Sequence, residues 1–186
     1  MRPFLFALPI LLWISWLLPF FLGNRRHGGQ KAIVTASGAR WGIILQAISY
    51  GMVWTFESRF WTRPLSFWLI LPAFAFGLAS VACAWVSVAA LGKQWRVDAG
   101  LNADHELVQS GPYRFVRHPI YASMLGIFLM AGLVLTSWLA FAAALLLFIA
   151  GAEIRVRIED GLLLSRFNGA FEAWKKRVPA YVPFLR

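Results

Sequence analysis

Gly111-Pro112-Tyr113-Arg114-Phe115-Val116-Arg117-His118-Pro119-Ile120-Tyr121 is the densest cluster of polar and conformationally special residues in the chain, and it leads straight into a long apolar run. Gly111-Pro112 signals a turn. Pro119 restricts His118 to an extended backbone and itself suits the first position of a helix. A helix is therefore predicted to begin at Pro119 and to continue into a membrane. The N–H groups at its start carry partial positive charge, which suits an anionic ligand group. Tyr113, Arg117, His118 and Tyr121 surround that end with hydrogen-bond donors. Each also has an ordinary role. Arg and Tyr anchor membrane helices at the interface, and a single His is commonly a hydrogen-bonded structural group.

The composition points the same way. Of 186 residues, 60% are hydrophobic and 14% charged, with ten Trp and sixteen Phe. An integral membrane protein with little room for a soluble domain follows. The net charge of +10 invites a nucleic-acid partner. The basic residues are scattered between apolar runs, however, so membrane topology and anionic lipid headgroups explain them better. A lone Cys83 excludes an internal disulfide and a cysteine-cluster metal site. His27, His105 and His118 have no metal-ligand spacing, and no metal is expected.

Working outward, residues 3–22 form a first apolar run of the ~20 residues a crossing helix needs. A cleaved signal peptide is the alternative there. Pro9, Pro19, the aromatics near the end and the lack of a small-residue cleavage site favour a retained helix. Residues 24–40 are polar and basic, with Gly28-Gly29 as a flexible loop. A second run covers 41–56 and carries Gln46 and Ser49. Glu57, Arg59 and Arg63 lie in a brief connection ending at Pro64. The third run, 65–91, includes Gly77, Ala79, Ser80, Ala82 and Ala84, small residues suited to close helix packing. The polar stretch 92–118 is the longest. From Pro119 to Ile154 the chain is apolar for too long a distance for one crossing, and Thr136-Ser137 splits it into a helical hairpin. Beyond it, Ile154, Ile158, Leu162, Leu163, Phe167, Phe171 and Trp174 recur at helical spacing. That pattern extends the fifth helix into an amphipathic tail along the membrane surface.

The resulting expectation is a single domain over residues 1–186: an all-α integral membrane protein with five transmembrane helices and an amphipathic C-terminal helix. With five crossings, Arg2, Arg59 and Arg63 fall on one side, and the other fifteen Lys and Arg on the opposite side. That bias predicts the amino terminus outside, with the 92–118 loop and the tail cytoplasmic. The two chemically rich segments then share one face.

Three groups of residues carry a resemblance. The first is Leu91-Gly92-Lys93-Gln94-Trp95 with His105-Glu106-Leu107-Val108 and Gly111-Pro112-Tyr113; the second is Arg117-His118-Pro119-Ile120-Tyr121. The third is Arg157-Ile158-Glu159-Asp160 with Leu162-Leu163, Phe167, Val178-Pro179 and Pro183. Together they resemble the isoprenylcysteine carboxyl methyltransferase family, within a wider group that includes membrane phospholipid methyltransferases. The resemblance runs from about residue 91 to the end, and places the cofactor-binding core at about 92–186.

It implies methyl transfer from S-adenosylmethionine to a lipophilic small-molecule or prenylated acceptor at the cytoplasmic membrane surface. His105, Leu107, Val108, Gly111, Tyr113, His118, Pro119, Tyr121 and Glu159 would then bind the cofactor, and Arg117 and Glu159 would be catalytic. The family's usual Glu-Glu pair is Glu159-Asp160 here, and two positions that are often Tyr are Phe171 and Trp174. Glu159 can pair with the cofactor's ammonium, and Arg117 or the Pro119 helix end with its carboxylate. Aromatic faces can hold the adenine or the sulfonium. A carboxylate or thiolate acceptor needs no general base, so catalysis would rest on alignment and exclusion of water.

Taken without the family, the acidic pair has a plainer reading: Arg155–Glu159 and Glu153–Arg157 are spaced as helix-surface ion pairs. Trp95 and Trp174 likewise suit interfacial anchors. Two other functions compete. Sterol-reductase-type enzymes share a similar Arg-His-Pro-x-Tyr layout, which would make NAD(P)H the cofactor. A non-enzymatic lipid-binding protein would take no nucleotide-like ligand at all.

Overall fold

The computed structural model describes residues 2–27, 34–55 and 66–182. Gly28-Gly29, the Glu57–Pro64 connection with Arg59 and Arg63, and Pro183 lie outside the described residues. Among the described residues there are five α-helices: α1 Arg2–His27, α2 Ala39–Thr55, α3 Phe67–Leu91, α4 Pro119–Leu135 and α5 Trp138–Arg177. Among the described residues three stretches are long and apolar enough to cross a membrane: Ala7–Arg25, Phe67–Gln94 and Trp138–Arg177. They fit an integral membrane protein. α4, at 17 residues, is shorter.

Local sequence accounts for the boundaries. Pro119 starts α4 at its first position, with His118 extended before it. Ser137 caps α5 by accepting from the Ala140 N–H. Gly92 (φ +50°) closes α3, and Gly111 (φ +58°) opens a short 3-10 turn, Gly111–Arg114, both in the left-handed region that favours glycine. α5 spans 40 residues in two helical stretches that meet at Asn168; the first, 138–167, is about 45 Å long at ~1.5 Å per residue, longer than the ~30 Å of a bilayer core. Its regular path breaks once, at Asn168 (φ 44°, ψ −122°).

The helices form two packed groups, α1 with α3 and α4, and α2 with α5. Small residues set both contacts. Along α3, Ala73, Gly77, Ser80, Ala84 and Ser87 make a buried stripe. A Cβ on Gly77 would sit 2.6 Å from the Met130 sulfur. Ala79 and Ala82, expected on that packing face, point outward. Between α2 and α5 the backbones nearly touch, since a Cβ on Gly42 would lie 2.6 Å from the Gly151 carbonyl oxygen. Below, Phe128 stacks on Phe148 at 4.9 Å and Tyr50 meets both rings edge-on.

The polar loops are not independent of each other. Val34–Thr35 (β1) and Gly100–Leu101 (β2) pair antiparallel, with Val34 opposite Leu101. The all-helical expectation missed this two-residue ladder because such short strands have no periodicity to read. It puts the first and third loops at the same end of the molecule. The tail closes over them: Arg117 N–H donates to the Pro179 carbonyl at 2.8 Å and His118 N–H to that of Ala180 at 2.7 Å. The Arg117 guanidinium donates to the Val178 carbonyl and, at 3.0 Å, to Asp160.

Arg117 and Asp160 are both buried. Removing one partner strands the other charge, so Asp160→Ala should cost about 3–5 kcal/mol. Asp104→Ala, which removes an exposed pair with Lys93, should change stability by less than ~1 kcal/mol. Thermal unfolding of the two variants side by side measures the difference, and equal effects would discount the buried clamp.

Candidate active site

Consecutive residues on α5 lie about 100° apart around the helix, so Glu159 and Asp160 face different neighbours. Asp160 turns toward the closing strap, where it meets Arg117 at 3.0 Å, His118 Nε2 at 2.9 Å and Lys175 at 3.2 Å. Glu159 turns into a cavity. Its Oε1 accepts from the Tyr121 hydroxyl at 2.6 Å and from Arg155 at 3.3 Å, and its Oε2 lies 3.5 Å from His118 Nδ1. Arg155 also donates to the Tyr121 hydroxyl and, at 3.0 Å, to the Val97 carbonyl.

The expected surface ion pairs do form, Arg155–Glu159 and Arg157–Glu153, each at 3.3 Å. Only the second involves a strongly exposed arginine. The first is half of an inward network.

His118 has a carboxylate at each ring nitrogen. Burial opposes the charged ring, but the hydrogen bonds to Asp160 and Glu159 and their negative charge outweigh it and raise its pKa above 6.5. His105, on the opposite wall, is shifted down by burial.

The cavity holds about 410 Å³, within the range of small-molecule sites. The 92–118 loop forms one wall, with Gln94, Trp95, His105, Leu107 and Val108. Glu159, Leu162, Leu163 and Trp174 of α5 face it, and Tyr121 and Met124 of α4 lie beneath. Of the residues expected from sequence, His105, Leu107, Val108, Tyr113, Arg117, His118, Tyr121 and Glu159 line this one space. Gly111 and Pro119 do not: they shape the backbone beside it. Trp95 and Trp174, which suited interfacial anchors, are buried. Phe167, Phe171 and Trp174 of the tail pack on Tyr113 and Leu107, so that stripe covers the protein's own loop.

Several residues that line the cavity each hold a buried polar atom without a partner: Gln94 Oε1, His105 Nδ1, Trp174 Nε1, Gln46 Nε2 and Arg117 Nε. Leaving such groups bare costs about 1–3 kcal/mol each, and a polar ligand would relieve it.

Sequence reading did not place Trp16 and Phe20 of α1, Ile43, Gln46, Ala47 and Tyr50 of α2, or Arg155 in the site. All line it. Gln46 had a signal, an amide inside an apolar run, but nothing in one dimension shows which helix it faces. Arg155 was masked by its i,i+4 spacing to Glu159.

Because the folded pKa of His118 is raised, its contribution to stability is complete below about pH 6.5 and disappears as pH rises through the higher folded value. The unfolding temperature of the purified protein should therefore fall on going from mildly acidic to alkaline pH. His118→Asn should flatten that slope, and a slope unchanged in the variant would assign it elsewhere.

The isoprenylcysteine carboxyl methyltransferase family model matches residues 72–165, about half of the chain. The match includes α4 and the stretch of α5 that bears Arg155, Glu159 and Asp160. The cobalt-zinc-cadmium resistance protein CzcN of Cupriavidus metallidurans is 30% identical over 180 residues, covering 92% of this chain and 70% of that protein. The protein-S-isoprenylcysteine O-methyltransferase of Schizosaccharomyces pombe is 34% identical over 88 residues, 45% of this chain and 36% of the yeast protein. With the matched segment supplying the His118–Glu159–Asp160 cluster and most of the cavity wall, the chain belongs to the isoprenylcysteine carboxyl methyltransferase family.

Proposed function

We propose that the protein transfers a methyl group from S-adenosylmethionine to a lipophilic acceptor at the membrane surface. The observation that carries it is the single cavity in which Glu159, unpartnered polar atoms and aromatic faces meet an apolar slot between helices. The residues fit the cofactor's chemistry. Glu159, held on three sides, offers an anion to the ammonium. Gln94 Oε1, His105 Nδ1 and Trp174 Nε1 offer the bare acceptor and donors a purine can use. Trp95, Tyr113 and Trp174 can hold the adenine or stand over the sulfonium.

The cofactor would supply an already activated methyl group. Aligning the acceptor and excluding water are then the protein's tasks. Tyr121 and Arg155 fix Glu159, while Arg117 and His118 hold Asp160 and with it the strap behind the cavity. Arg117 thus acts mainly by position. A carboxylate or thiolate acceptor needs no proton removed in this arrangement.

In the membrane, we place all five helices across the bilayer, with α4 and α5 as a hairpin turning at Thr136-Ser137. The 92–118 loop and the end of α5 would face the cytoplasm, following the excess of Lys and Arg on that side. The pairing of β1 with β2 supports a common side for the first and third loops.

Equilibrium binding of S-adenosylmethionine to the detergent-purified chain tests the proposal, with NADPH run alongside. S-adenosylmethionine alone should bind. NADPH binding alone would replace methyl transfer with reduction. Glu159→Gln, which keeps shape and removes charge, should weaken S-adenosylmethionine binding by about tenfold or more, the scale of a charge-assisted contact. Arg117→Ala should impair binding more than Arg114→Ala, because Arg114 lies outside the cavity against Phe115. Equal losses would indicate general electrostatics.

A further inference from the structure

Gln46 stands apart among the cavity's bare polar groups. It lies on α2, outside the matched family segment, and only 4% of it is exposed. Its Nε2 is buried without a hydrogen-bond partner, and the residue lines the cavity. Its neighbours are otherwise apolar or already engaged. The Tyr50 hydroxyl donates to the Met124 carbonyl at 2.8 Å, and Ser49 donates to the backbone carbonyl of Gln46.

The surroundings make this part of the cavity a lipid slot. Trp16 and Phe20 of α1 form one side, and Ile43 and Ala47 of α2 the other. Ile43 and Ala47 are both exposed, so the slot has a mouth between α1 and α2. Deeper down, the rings of Trp13, Tyr50 and Trp54 meet across the gap and close it. Gln46 also has a defined position against α5. Gly42 packs against Arg155 and Gly151, while Gln46 packs against Gly151. Gln46 therefore sits beside Gly151 on α5, about one helical turn from Arg155 and about two from Glu159.

Resting on the methyl-transfer reading above, we propose that Gln46 is a specificity-determining residue of the acceptor site. Its amide donates to an oxygen that the lipid carries in addition to its reacting carboxylate. The acceptor class this selects is a lipid carboxylate with a second oxygen acceptor close by, such as the amide carbonyl of an N-acyl amino acid. A plain prenyl thioether carboxylate has only a weakly accepting sulfur at that place and leaves the buried amide bare. A site built to satisfy a substrate's polar group rejects the analogue that lacks it.

The test uses the full chain in detergent without S-adenosylmethionine, titrated calorimetrically with N-palmitoylglycine and with S-farnesylthiopropionate. The wild type should bind N-palmitoylglycine about tenfold more tightly, the scale of one buried hydrogen bond. Gln46→Leu should remove that preference, and it should hold or raise the unfolding temperature of the ligand-free protein, since it deletes an unpartnered buried amide. A lowered unfolding temperature would show the amide to be structural and overturn the proposal. So would equal affinities in the wild type, a preference that survives in Gln46→Leu, or binding of neither lipid. S-adenosylmethionine binding on the same preparations reports separately on methyl transfer, so failure of that reading is distinguishable from failure of this one.

Discussion

The buried ion cluster of Arg117, His118, Glu159 and Asp160 holds the two polar segments that wall the cavity in register. Such a cluster does not by itself make a protein more stable. Taking the charges out of water is expensive, and apolar residues of similar volume often serve stability as well. What it supplies here is geometry. Arg117 and His118 immediately precede α4, and Glu159 and Asp160 sit midway along α5, so their pairing fixes one helix's start against another's flank. The same two residues donate their backbone N–H groups to Pro179 and Ala180. One short segment thereby ties down α4, α5 and the strap that follows α5.

The adjacency of Glu159 and Asp160 follows from the same constraint. With about 100° between successive residues on a helix, two neighbouring carboxylates face different surroundings. One faces the strap and is saturated by Arg117, His118 and Lys175. The other faces the cavity and keeps room for a ligand. The family's more usual second Glu is an Asp here, and its shorter side chain suits a saturated internal contact. His118 bridges the two carboxylates, so the charge state of one ring bears on both the clamp and the cavity.

The helices divide their work along similar lines. Glycine contacts at Gly42 and Gly151 bring α2 hard against α5, while a stripe of small residues seats α3 on α4 and α1. Neither association can draw much on hydrophobicity in lipid, and close backbone approach takes its place. The cavity is what remains between the groups, roofed by the loop and floored by aromatic rings. The family-matched segment provides most of its polar wall, and the first two helices shape its lipid side.

Much of this was legible in one dimension. Apolar run lengths marked the helices to within a few residues, because a bilayer crossing demands a fixed length. Pro119 and Ser137 announced helix starts through backbone chemistry that is local by nature. The Arg117-His118-Pro119-Ile120-Tyr121 core and the Glu159-Asp160 pair declared the family. Partnership was not legible. Glu159 and Asp160 carry similar charge at neighbouring positions, and only the rotation of α5 decides which one faces the cavity. Arg155 at four residues from Glu159 reads as a surface pair until α2 is packed over it. Gln46 reads as one polar residue in an apolar run until α1 and α2 are seen to part around it. By itself the sequence determined where helices start and which chemistry the chain carries, since both rest on interactions between near neighbours. Which side chains share the cavity was decided only by tertiary packing, since those contacts join residues as far apart as Trp16 and Trp174.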